Sequence, residues 1–399
     1  MTNYPQRRKT RLSRRDFLKI AAVGLLAGCN PTQAPSTVTD AESTALVAEA
    51  QANVPTDTPV PAPTNTPMSA PTNTPTPAPT HPPTVTFTPL PTTTVRKPDI
   101  ITTYPAKPST VVHTHHAGVW SGDELVPNAI RQMLDASITQ LTGLNDAREA
   151  WRALFDPGER IAIKVNAFRN SLIFTHVPLV TAVTDSLQEA GIPAENIVIY
   201  DYYTSELEEA GFAVNPDGPG VRCVGTDREY SDGFEIVGAK IQLSNVLLGC
   251  DALINMPVLK SHMLAGMSYA LKNHYGTLSR PDSFHGGTRL NMGLPELNML
   301  PAIKDRTRLI IGDALTACLR YANSWPYWEA DYTGDSIMMS FDPVAHDAVG
   351  FKLMTDLMAA EGHNTAAATN MATPWLENAT KIGLGTHNFD DMDLAEIQL

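Results

Sequence analysis

Arg160-Ile161-Ala162-Ile163-Lys164-Val165-Asn166 is an apolar run of strand length that ends in an amide. The amphipathic segment Pro178 to Gly191 follows it, and then a second run, Asn196-Ile197-Val198-Ile199-Tyr200-Asp201. Asp251-Ala252-Leu253-Ile254-Asn255 and Arg308-Leu309-Ile310-Ile311-Gly312-Asp313 repeat the pattern. Strands that are apolar at nearly every position are buried on both faces, and amphipathic helices between them supply the cover. The alternation predicts an α/β fold: a largely parallel or mixed sheet with helices on both faces, in one large domain or two packed lobes. Ligands of such sheets collect beyond the carboxyl ends of strands, where Asn166, Asp201, Asn255 and Asp313 are expected.

From Ile254 the chain continues Asn255-Met256-Pro257-Val258-Leu259-Lys260-Ser261-His262 and on to Leu271-Lys272-Asn273-His274-Tyr275-Gly276. Lysines, histidines and asparagines inside a core-like run must be solvated, paired or given a ligand. Lys260 and His262 lie two apart in an extended segment, so both point the same way. Gly266 to Asn273 reads as a helix carrying Lys272. With Lys164 from a neighbouring strand end, three ammoniums and an imidazole converge on a site for a carboxylate or phosphate, unless acids from Asp201, Asp313 or Asp347 neutralise them instead. Lys260 and His262 are the candidates for proton transfer, with Lys164, Asn166, Lys272, Asn273 and Arg289 as ligand-binding residues. Arg289 enters through His285-Gly286-Gly287-Thr288-Arg289, which suits a backbone nest for an anion.

A metal reading competes. His113 and His115 in Val112-His113-Thr114-His115-His116 share one strand face, with His285, Asp313 or His346 as further ligands and Asp347 as another candidate. Zinc or another imidazole-preferring divalent ion fits that donor set. In Asp342-Pro343, the Asp is placed to cap a helix running to Met358 and the Pro to begin it. Gly266-Met267-Ser268-Tyr269-Ala270 falls short of a nucleophile elbow, because the preceding strand ends by Pro257.

Four ordered motifs carry a family resemblance: Ile163-Lys164-Val165-Asn166, Met256 to His262, Ala270 to Gly276, and Asp342-Pro343-Val344-Ala345-His346-Asp347-Ala348-Val349-Gly350. Across roughly residues 110 to 385 the chain resembles the bacterial and archaeal family called domain of unknown function 362. The resemblance implies no settled activity. Many members join this domain to a ferredoxin-like cysteine cluster, whereas Cys29, Cys223, Cys250 and Cys318 are too scattered for that module, so no iron–sulfur cluster is expected. Ala317-Cys318-Leu319-Arg320-Tyr321-Ala322-Asn323 replaces the Gly/Pro-rich turn usual in related sequences.

Residues 1–28 read as a targeting signal. Ser13-Arg14-Arg15-Asp16-Phe17-Leu18-Lys19 resembles the twin-arginine export motif, which implies passage through that translocase, and Leu26-Ala27-Gly28-Cys29 resembles a lipobox with Cys29 as the lipidated residue. Multiple acyl chains on Cys29 would hold the protein at the outer face of the cell membrane. Residues 29–98 follow as a Pro/Thr-rich linker; the span 30–98 holds sixteen of the chain's 32 prolines, which favours an extended stalk over a core. The α/β domain is expected over 99–399. Residues 1–28 carry seven of the 29 basic residues and one of the 42 acidic ones, so cleavage there leaves a net charge of −19. Such a polyanion is a poor partner for nucleic acid. The sequence therefore points to an extracytoplasmic, lipid-anchored α/β protein with a Lys/His/Asn pocket for a small anion; if it is an enzyme, the chemistry is acid–base. A non-catalytic solute-binding or accessory module and a metal-dependent hydrolase are the alternatives.

Overall fold

The computed structural model describes residues 98–101, 108–168, 171–227, 229–320 and 328–399. The export signal, Cys29, nearly all of the Pro/Thr-rich linker and the segment from Tyr321 to Asn323 lie outside the described residues. Ten strands form one mixed sheet: β1 (Ser109–His115), β2 (Ile161–Lys164), β3 (Ile197–Asp201), β4 (Arg222–Gly225), β5 (Ala252–Asn255), β6 (Val258–His262), β7 (Gly266–Ser268), β8 (Thr307–Cys318), β9 (Tyr332–Ser340) and β10 (Met392–Gln398). Their order is β10-β1-β9-β8-β5-β2-β3-β4, and every pairing along it is parallel except the two made by β9. The four runs that predicted the fold are β2, β3, β5 and the first half of β8.

Seven helices concern the argument: α1 (Pro127–Thr142), α2 (Ala147–Leu154), α3 (Val177–Glu189), α4 (Ala270–Asn273), α5 (Gly287–Met299), α6 (Pro343–Ala360) and α7 (Ala366–Lys381). Strand side chains alternate between two cores. Ile161 and Ile163 pack on one face with α1, α2 and α3, around Trp151. Ala162 packs on the other, where Val344, Met354 and Trp375 from α6 and α7 and Leu294 from α5 close the second core. The fold is α/β with both sheet faces covered. Among the described residues no helix is long and apolar enough to cross a membrane, and Cys223, Cys250 and Cys318 are buried free thiols.

Two local expectations need correction. Asp313 does not end a strand, because β8 continues for twelve residues. β5 pairs with its first half; the chain then turns at Met256-Pro257, and β6 pairs with its second half, Val258 opposite Asp313 and Lys260 opposite Cys318. Nor is Gly266 to Asn273 one helix. Gly266–Ser268 is β7, antiparallel to β6, and only Ala270–Asn273 is helical. Gly266 has φ +76°, and a Cβ there would meet the Ala368 carbonyl at 2.2 Å, so tertiary packing overrides the helical pattern. Asp342 caps α6 through Oδ1, which accepts from the Val344 and Ala345 N–H groups, with Pro343 in the first turn.

Candidate functional site

Lys164, Asn166, Lys260, His262, Lys272 and Asn273 line one cavity of about 720 Å³ at the carboxyl ends of β2 and β3, beside β6. Its floor is a buried ion pair: Lys164 Nζ donates to Asp201 Oδ1 at 2.6 Å and to the Val165 carbonyl at 2.6 Å. Asp201 also accepts from the backbone N–H of Ala167 and of Tyr202. Gly276 covers this pair so closely that a Cβ would lie 2.5 Å from Asp201 Oδ1 and 2.7 Å from Lys164 Nζ. Burial lowers the Lys164 pKa while Asp201 opposes the shift. One of the three ammoniums thus has its counterion within the fold.

The two cavity asparagines brace one another and the lysines beside them. Asn273 donates to Asn255 Oδ1 at 2.7 Å and to the Lys164 carbonyl, and its own Oδ1 accepts from Asn166 Nδ2 at 3.3 Å. Asn166 Oδ1 in turn accepts from Lys260 Nζ at 2.7 Å. α4, which carries Lys272 and Asn273, is held from outside: Asp347 accepts from the Ala270 and Leu271 N–H groups at 2.7 and 2.9 Å. Asp347 positions the cavity wall and is not placed to hold a metal.

Electrostatics sets the remaining cations apart. Lys272 Nζ lies 3.0 Å from His285 Nε2 and 4.6 Å from the Tyr275 ring centroid. Among the described residues no carboxylate lies within ion-pair distance of it. Burial first, and then the charge of Lys260, pull the Lys272 pKa down to about 7, against a weaker upward pull from Asp282. Burial likewise lowers Lys260 to about 8. His285 falls to about 3 through burial and Lys272, and His262 falls well below its ordinary value through burial, Lys272, His285 and Lys260. His262 Nδ1 accepts from the Leu264 and Ala265 N–H groups, which puts the proton of the neutral ring on Nε2. The neutral ring therefore presents a hydrogen-bond donor to its surroundings.

Other walls were missed. Tyr202 and Tyr203 follow β3 directly, Phe168 follows β2, and Glu206 lies in the first turn of the short helix Thr204–Glu209. Their positions just past strand ends were the available signal. His285 lines the cavity, stacked on His262 with ring centroids 5.5 Å apart. Arg289 does not line it: the residue is exposed on α5, whose first turn occupies the proposed nest. His274 is buried against a smaller void beside Asn255 and Asn298.

The expected metal ligands separate. Asp313 is fully buried and saturated, accepting from the His176 N–H, from His176 Nδ1 at 2.8 Å and from the Leu315 N–H. His346 is buried beside Tyr269. His113 and His115 do share a strand face, yet they meet neither of these nor His285. They meet Glu396 of β10 and, through His115, Asp335.

A comparison with curated proteins found no match. Among solved structures, the lactate racemase apoprotein from Thermoanaerobacterium thermosaccharolyticum is similar at 11% identity and TM-score 0.37, with 61% of this chain and 56% of that one covered. A protein from Thermotoga maritima is similar at 12% identity and TM-score 0.36, with 60% of each chain covered. The chain thus spans less than two thirds of the length of either. Residues 161–352, a segment that contains every cavity residue named above, match the family described as "Domain of unknown function (DUF362)".

Proposed function

We propose that the cavity binds a small organic carboxylate or phosphate and that Lys272 is the group that exchanges a proton with it. The observation that carries this reading is Lys272 itself, 8% exposed and without a carboxylate partner among the described residues. A buried ammonium in that state is relieved by an anionic ligand. Lys260, held by Asn166, offers a second cation, and His262 Nε2–H a neutral donor. A group that titrates near neutrality inside a cavity suits acid–base work better than His262 does. Braced by Asp347 and Asn273, α4 keeps Lys272 in place without touching ligand through those residues.

The N-terminal motifs support the further reading that residues 1–28 are removed, Cys29 is lipidated, and 29–98 hold the α/β domain of 99–399 off the outer face of the membrane. Cys29→Ser is expected to move the protein from the membrane to the soluble fraction; retention in the membrane would remove the anchor from the proposal.

For the cavity, the test is thermal unfolding of the full-length protein with inorganic phosphate, phosphate monoesters and small mono- and dicarboxylates. A ligand at a hundred to a thousand times its dissociation constant stabilises by about 3–4 kcal/mol. The stabilisation should vanish in Lys260→Ala and Lys272→Ala. A ligand that stabilises both variants as well as the parent refutes the cavity. Turnover of that ligand, lost in Lys272→Ala, separates an enzyme from a non-catalytic binding module.

A further inference from the structure

We infer that His113, His115 and Glu396 form a binding site for one divalent transition-metal ion of the zinc class, oriented by Asp335. The topology brings these residues together from the two ends of the described chain. β1 and β10 pair in parallel with His113 opposite Glu396, and His115, two residues on, projects from the same face. One nitrogen or oxygen from each of the three lies within 4.8 Å of the others.

The individual separations fit an ion more closely than that bound requires. His113 Nδ1 is 3.2 Å from Glu396 Oε1, and His115 Nε2 is 3.5 Å from Glu396 Oε2. Tetrahedral zinc with bonds of about 2.0–2.1 Å sets its ligand atoms roughly 3.3 Å apart. His115 Nδ1 faces Asp335 Oδ1 at 2.9 Å, which fixes the proton on Nδ1 and leaves Nε2 directed at the Glu396 carboxylate. A carboxylate behind a ligating histidine is the usual arrangement that sets its tautomer and ring orientation. His113 is 6% exposed, and its Nε2 has no hydrogen-bond partner among the described residues. The polar contact of that buried ring is therefore the one to Glu396.

Two imidazoles with one carboxylate favour zinc, cobalt, nickel or copper over magnesium or calcium. Three protein ligands leave a fourth position, and the Glu396 side chain is 55% exposed, so the ion is reachable from solvent. None of these residues lines the basic cavity. The two sites thus stand or fall separately.

The test is titration of the full-length protein, stripped with chelator, with Zn²⁺ by calorimetry and with Co²⁺ by its visible absorption. One ion per chain is expected, with the intense absorption of four-coordinate cobalt. His115→Ala and Glu396→Gln should abolish it, and Asp335→Asn should weaken it about ten- to a hundredfold. Lys272→Ala should leave it unchanged. Glu396→Gln keeps the experiment decisive should His115→Ala fail to fold, because the replaced side chain is half exposed. Absence of saturable binding, or stoichiometric binding that survives Glu396→Gln, overturns the inference.

Discussion

At the β2–β3 end of the sheet, beside β6, Lys260 and Lys272 are buried among amides, imidazoles and aromatic rings; at the β10–β1–β9 end, His113 and His115 are buried against Glu396 and Asp335. Burial acts on both sets in the same direction, toward the neutral base. In the cavity nothing outweighs it, and Lys272 and Lys260 drop to about 7 and about 8. At the other end burial is again the largest effect, and it still lowers His113, but for His115 the hydrogen bonds and charges of Asp335 and Glu396 together reverse it and raise the pKa to about 9. The difference is one of supplied counterions. Lys272 has no carboxylate within ion-pair distance among the described residues, whereas His115 has two, Asp335 and Glu396.

The largest effect is expected where the cavity does supply its own counterion. Asp201→Asn strips Lys164 of its partner and leaves its buried ammonium uncompensated at the cavity floor. Removing one member of a buried pair destabilises by about 3–5 kcal/mol, measurable by urea unfolding. A loss below roughly 1 kcal/mol would place the Lys164 ammonium in contact with solvent, at the median for surface pairs, and would erase the contrast drawn here.

Next comes Lys272→Met, which removes the uncompensated charge and keeps the volume. Anion binding should fall about a hundredfold, or ~2.7 kcal/mol, while the ligand-free protein should gain on the order of 1 kcal/mol. Opposite signs in the two measurements are what an unpartnered buried cation requires. Destabilisation of the free protein would mean that the contacts of Lys272 to His285 and Tyr275 outweigh its desolvation.

Much of this was legible in the sequence, for definite reasons. Each continuous apolar run, by its length and β-branched content, read as a strand covered on both faces, and strand ends are where polar residues such as Asn166 and Asp201 mark a cavity. Hidden from the sequence was everything that depends on pairing across the chain. Glu396 stands 283 residues from His113 and is brought to it only by the parallel β1–β10 register. Asp313 read as a strand end because nothing local says that β6 would extend β8 past it. Asp347 read as a site residue for the same reason: its partners, Ala270 N and Leu271 N, are 77 and 76 residues away. Asp347→Ala, which strands those two N–H groups, should lower stability by about 2 kcal/mol. It should weaken the anion as well, since Lys272 rides on the same turn; unchanged affinity would detach α4 from the site.

The pH dependence tests the cause of the contrast directly. Lys272 is faced by Lys260, His262, His285 and Tyr275, with Asp282 the acid that opposes its shift. Its folded pKa of about 7 lies below the ordinary 10.5. Between those values the unfolded chain holds a proton that the folded protein has released, so stability rises with pH through that window. Below about pH 7 both states are protonated and the full penalty of burying the ammonium is present. The advantage of Lys272→Met over the parent should therefore be greatest near pH 6 and shrink steadily as the pH rises toward 10.5, a trend followed by urea unfolding. Anion binding must run the other way, weakening as Lys272 and then Lys260 lose their protons. If the stability difference between parent and variant stays flat across this range, Lys272 titrates as an ordinary solvated lysine and the cavity has no unmet charge for a ligand to satisfy.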